Sequence, residues 1–172
     1  IIGVVLAVLA IVCLFVLPAA MVLLTAAALV VASGEYFTIL RKVGWESATP
    51  IGLATAAALP FAVYWRGPLA LALVGAIVVG ALLAWFLAGA AGPEPRVLEG
   101  AGATLLGIAW IAGLGSTAPA ILQFSDGNWL LFAGILATVG YDVAGLFVGR
   151  AMGHRPLSSA SPNKTVEGLL GG

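Results

Sequence analysis

No charged residue occurs before Glu35. A stretch that long without a charge cannot coat the outside of a water-soluble domain, and it exceeds the roughly 20 apolar residues that cross a bilayer as a helix. The pattern then repeats. Apolar runs of span length alternate with short breaks rich in Pro, Gly and charge, which is turn chemistry. The breaks read "RKVGWES", "RGP", "AGPEPRVLEG" and "QFSDGN". Together with a turn at Pro18, they divide the chain into six expected spans at 1–17, 19–40, 49–65, 68–90, 101–122 and 129–151. The expected fold is therefore all-α, a polytopic integral membrane helical bundle of about six transmembrane helices. Residues 1–172 read as a single transmembrane domain, with 152–172 as a cytoplasmic loop. Pro60 and Pro119 fall inside spans 3 and 5, where neighbouring helices can satisfy the freed carbonyls.

Composition agrees. Charged residues make up 8% of the chain and hydrophobic ones 62%, against roughly 25% charged in an ordinary soluble domain. Net charge is zero, so nothing points to nucleic acid. The lone Cys13 reads as a small hydrophobe. A single histidine, His154, leaves no multi-histidine metal cluster.

Basic residues orient the bundle. With the tail placed in the cytoplasm, the inner side receives Arg41, Lys42, Arg96, Arg150, Arg155 and Lys164, and the outer side only Arg66. The positive-inside rule selects that orientation, in what is expected to be a bacterial inner membrane.

Asp142 lies inside the sixth span, about 12 Å along the helix from Arg150. Intramembrane acids are costly and mark functional cavities by default; pairing with a neighbouring helix is the plainer alternative. Gly145, Gly149 and Gly153 recur every four residues on one face of that span, which suits close approach of another backbone. Glu35 sits near the inner end of span 2, on nearly the same face as Lys42. It reads either as half of a snorkelling surface pair or as lining the same cavity as Asp142. In the tail, Ser161–Pro162 reads as a helix N-cap and first helical residue. A helix starting there would gather free N–H groups, the Ser161 and Thr165 hydroxyls and Lys164 around an anion. The run is not a Walker A loop, because Ser158 and Asn163 stand where glycines are needed.

The stretch Asp142 to Gly172, "DVAGLFVGRAMGHRPLSSASPNKTVEGLLGG", resembles the phosphatidate cytidylyltransferase (CDP-diacylglycerol synthase) family. Asp142, Gly149–Arg150, Gly153 and then Ser161, Pro162, Lys164, Thr165, Glu167 and Gly168 occur in the family's order and spacing. The resemblance implies transfer of a cytidylyl group from CTP to phosphatidic acid, giving CDP-diacylglycerol and pyrophosphate. It implies Asp142 and Lys164 as catalytic residues, and Arg150, Ser161, Thr165 and Glu167 as substrate-binding ones. A divalent metal, Mg2+, is implied with its ligands in a downstream signature that follows the Gly-Gly in the family, so the chain is expected to be a fragment, inactive alone. Expected partners are CTP, phosphatidic acid and the bilayer, with a homodimer left open. Two other readings stand beside this one: a CTP-dependent polyprenol, phytol or dolichol kinase, and a transporter using its intramembrane Asp142.

Overall fold

A computed structural model describes residues 2–89, 97–158 and 161–172. Arg96, counted above on the inner side, lies outside the described residues. Long-range contacts divide the chain into two compact units, Ile1–Asn128 and Trp129–Gly172.

The first unit is built of helices α1 (Ile2–Val16), α2 (Pro18–Lys42), α3 (Thr49–Arg66), α4 (Leu69–Gly89), α5 (Val97–Gly107) and α6 (Thr117–Ile121). A π-helical turn, Ile108–Gly113, follows α5. Pro18 opens α2 at the position where its missing N–H costs nothing. Helices occur at all six expected positions, with their ends shifted by a few residues. Four stretches are long and apolar enough to cross a membrane: Pro18–Lys42, Leu69–Gly89, Leu98–Ile121 and Gly127–Met152.

Helix α3 sits at the centre of this unit. Its buried residues Gly52, Thr55, Ala56, Leu59, Pro60 and Val63 follow a three-and-four spacing and so form one stripe. Ala56, Leu59 and Val63 join Ala70 and Ala112 in the main apolar cluster. A Cβ at Gly52 would run into the Phe37 ring, so glycine sets the α2–α3 approach. Polar groups are spent on backbone. Tyr36 donates its hydroxyl to the Ala103 carbonyl at 2.8 Å. The Gln123 amide donates to the Val63 and Tyr64 carbonyls at 2.8 and 2.6 Å, closing the end of α3. Pro60 is accommodated within a continuous α3. Pro119 lies in α6, which the fifth span enters from the π-helical turn through Ser116, a residue that keeps right-handed helical backbone angles.

Glu35 and Lys42 are both exposed and form no ion pair among the described residues. The surface location holds, but the two side chains do not meet.

The second unit contains helix α7 (Gly127–Met152) from Trp129 on, an antiparallel hairpin of β1 (Pro156–Ser158) and β2 (Ser161–Thr165), and the short helix α8 (Val166–Gly171). Here the structure corrects the expected tail. Residues 152–172 are not a plain loop, and no helix starts at Ser161. Ser161–Thr165 is a strand, whose ends pair Ser161 with Ser158 and Thr165 with Pro156. The helix begins four residues later than the Ser-Pro signal suggested, with Thr165 as its N-cap and Val166 as its first residue. Proline at the second residue of an edge strand removes no ladder bond when its nitrogen faces outward, so Ser-Pro serves a strand start as readily as a helix start.

Candidate active site

Helix α7 ends at Met152, and the chain must reverse to return along it. Gly153 donates its N–H to the Gly149 carbonyl at 3.1 Å. The next two amides, His154 and Arg155, point away from the helix ladder, and both donate to Oε2 of Glu167 at 3.2 Å. The hairpin follows, and Val166 closes it by donating to the Arg155 carbonyl at 2.9 Å. Thr165 then caps α8, its Oγ1 accepting the Gly168 N–H at 3.1 Å. This is the usual N-cap geometry, in which a side-chain oxygen satisfies the third amide of the helix.

The glycine stripe on α7 receives α8. An added Cβ at Gly145 would stand 3.0 Å from the Gly168 carbonyl oxygen, and one at Gly149 would stand 3.1 Å from Thr165 Oγ1. The reciprocal Cβ on Gly168 would stand 2.8 Å from the Gly145 oxygen. The approaching backbone expected from the four-residue spacing is therefore that of the chain's own tail. Gly145 and Gly149 on α7 and Gly168 on α8 let the two backbones touch.

This seating forms a cleft of about 620 Å³ within the second unit. Asp142 and Arg150 come to it from α7, and Asn163, Lys164 and Thr165 from β2. Positions 142, 145, 146, 149 and 150 follow the three-and-four spacing of one helix face, so the acid, the arginine and the glycine stripe share a side. Tyr141, Leu146, Leu157 and Leu169 supply an apolar wall. Asp142, Arg150, Asn163 and Lys164 are all exposed. None of the four side chains has a hydrogen-bond or ion-pair partner among the described residues. The cleft thus presents two cations and one carboxylate, uncommitted, beside an apolar wall. Arginine and lysine in that setting suit phosphate oxygens.

Two expected site residues lie elsewhere. Ser161 pairs at the far end of the hairpin and does not line the cleft. Glu167 is half-buried and absent from the lining, with its carboxylate turned to backbone. Those contacts hold its carboxyl below the usual value of 4.5. Its own backbone N–H contributes most, then that of Arg155, then the amide and charge of His154. Asn163 lines the cleft although sequence reasoning gave it no role; its two-residue spacing from Thr165 in a strand was the available signal.

The implied divalent metal finds a poor fit. The cleft offers one carboxylate, and among the described residues no three His, Cys, Asp or Glu side chains converge. Magnesium needs near-octahedral oxygen ligation, which these residues do not provide by themselves.

The model of the cytidylyltransferase family matches residues 1–172. A phosphatidate cytidylyltransferase of Mycobacterium leprae (strain TN) is 32% identical over 169 residues, covering 90% of this chain and 54% of the relative. The chain therefore spans about half the length of that relative. No solved structure matches.

Proposed function

Because the chain belongs to the cytidylyltransferase family, we propose that the protein transfers a cytidylyl group from CTP to phosphatidic acid. A phosphate oxygen of phosphatidate attacks the α-phosphorus of CTP, the bond to the β-phosphate oxygen breaks, pyrophosphate leaves and CDP-diacylglycerol forms. Such a reaction depends on positioning and charge neutralisation rather than on covalent help from the protein. Lys164 and Arg150 hold phosphate oxygens. Thr165 caps α8 where it follows β2. With phosphate in the cleft, Asp142 would orient a basic side chain toward it, and the apolar wall would receive the glycerol end of the lipid. The implied Mg2+ would take its ligands mainly from residues outside this cleft. The basic residues favour a cytoplasmic cleft in a bacterial inner membrane.

One observation carries the reading: two cations and an acid face one amphipathic cleft with no partner of their own. Its test uses the full-length protein in membranes with Mg2+, given CTP labelled in the cytosine ring or at the γ-phosphate, together with phosphatidate and with polyprenol. Ring label in a phosphatidate-dependent lipid supports the proposal. γ-Label in polyprenol without ring label identifies a lipid kinase instead. Label in neither, from folded protein, overturns both and leaves a transporter to be tested.

A further inference from the structure

The acidic residue of the Lys-Thr-Val-Glu-Gly run has no place in the cleft, and its geometry gives it another task. One oxygen of Glu167, Oε2, accepts both the His154 and the Arg155 amide. These are the first amides beyond α7 that the helix ladder leaves unused. Glu167 stands at the start of α8, while the two amides stand at the end of α7. The carboxylate therefore ties the exit of one helix to the entrance of the other across the mouth of the hairpin. Between these tied ends runs the segment that delivers Asn163, Lys164 and Thr165 to the cleft. A pair of N–H groups donating to a charged acceptor is a strong contact, and one confined to backbone partners fixes chain direction rather than side-chain identity.

We infer that Glu167 is a positioning residue, a clasp that holds the 154–165 hairpin so that Lys164 faces Asp142 and Arg150, and not a ligand of nucleotide or metal. This rests on the cytidylyl-transfer reading for its activity readout, but the clasp itself has a readout of its own. The task needs an acceptor oxygen and does not need a charge. A glutamine in the same rotamer keeps one oxygen in the place of Oε2, whereas an alanine removes it.

The experiment compares the full-length wild type with Glu167→Gln and Glu167→Ala. Hydrogen exchange is followed by mass spectrometry on the peptide containing His154 and Arg155. Cytidylyl transfer is measured across concentrations of CTP and of Mg2+. Protection of the 154–155 amides is expected in wild type and in Glu167→Gln, with exchange about tenfold faster or more in Glu167→Ala. For transfer, Glu167→Gln should keep kcat/KM within about threefold at an unchanged Mg2+ requirement, and Glu167→Ala should lose about tenfold or more. A Glu167→Gln variant as inactive as Glu167→Ala while its amides stay protected would overturn the inference, because charge would then be the needed property. Unchanged exchange in Glu167→Ala would overturn it too. Should Glu167→Ala fail to accumulate, Glu167→Asp, one methylene short of the amides, takes its place with the same expected loss. If wild type moves no label at all, the function reading fails while the exchange data still decide the clasp.

Discussion

Replacing Gly168 by alanine tests the seating of α8 on α7. The new methyl would stand 2.8 Å from the Gly145 carbonyl oxygen, 3.1 Å from Thr165 Oγ1 and 3.2 Å from Gly149 Cα. Two of these neighbours are backbone atoms in the middle of a helix, so no rotamer change relieves the contact. Ordinary contact would require α8 to back away by about 0.6 Å. Overpacking of this kind costs about 1–3 kcal/mol, against a gain of up to about 1 kcal/mol from alanine's better helix propensity. The net cost is too small to unfold the bundle, yet the shift carries Thr165 and Lys164 with it. Misplacement by about 1 Å can cost about a hundredfold in rate. We therefore expect kcat/KM for cytidylyl transfer to fall about 10- to 100-fold, or about 1.4–2.7 kcal/mol in the barrier, with membrane levels close to wild type. Gly140→Ala is the control: it lies on α7, the helix that receives α8, and its added Cβ meets nothing within 4 Å. Equal activity in the two variants would refute the seating argument.

Asp142→Asn should abolish turnover while leaving membrane insertion intact, and near-normal activity would remove Asp142 from the site. Lys164→Ala should raise KM for CTP or for phosphatidate about tenfold or more through loss of a charge-assisted phosphate contact; unchanged kinetics would leave β2 a purely structural strand. The Glu167 carboxyl is depressed, chiefly by its own N–H and those of Arg155 and His154, so its contribution is complete above 4.5 and is lost as pH falls through its lower folded-state value. Activity between pH 5 and 8 should therefore carry no inflection that Glu167→Gln removes, and finding one would refute the assignment.

The six spans could be read from the chain because lipid imposes a simple rule: apolar length sets the helix, and Pro, Gly and charge set its ends. The fifth span carried its own warning in Gly113, Gly115 and Pro119, and it is there that the helix widens into a π turn. The tail was harder for a physical reason. Ser161 and Thr165 are both plausible caps by local chemistry, and the choice between them is made by packing. Only a helix starting at Val166 brings Gly168 against Gly145 and Gly149. Local capping rules carry no information about that contact, although the glycine stripe announced that some backbone would arrive. Likewise, the three-and-four spacing of Asp142 with Gly145 and Gly149 was visible, but which residues would face Asp142 depended on the hairpin.

The hydrogen bonds of the tail separate its residues into two groups. The amides of Gly153, His154, Arg155, Val166 and Gly168 are all satisfied within the unit, by the Gly149 carbonyl, Glu167, the Arg155 carbonyl and Thr165. Backbone that leaves a membrane helix must find such partners, since unpaired amides near hydrocarbon cost several kcal/mol each. Thr165, Glu167 and Gly168 meet that requirement with a cap, a clasp and a bare Cα. The remaining polar side chains of the cleft, Asp142, Arg150, Asn163 and Lys164, have no partner among the described residues. Asp142 and Arg150 line one cleft and share a helix face, but stand about two turns apart and do not pair with each other. A structure selected for stability alone would have paired these charges or replaced them with apolar residues. Two cations and one acid left without partners beside an apolar wall, on a scaffold whose own polar groups are already paired, are the arrangement that the proposed lipid phosphate would complete.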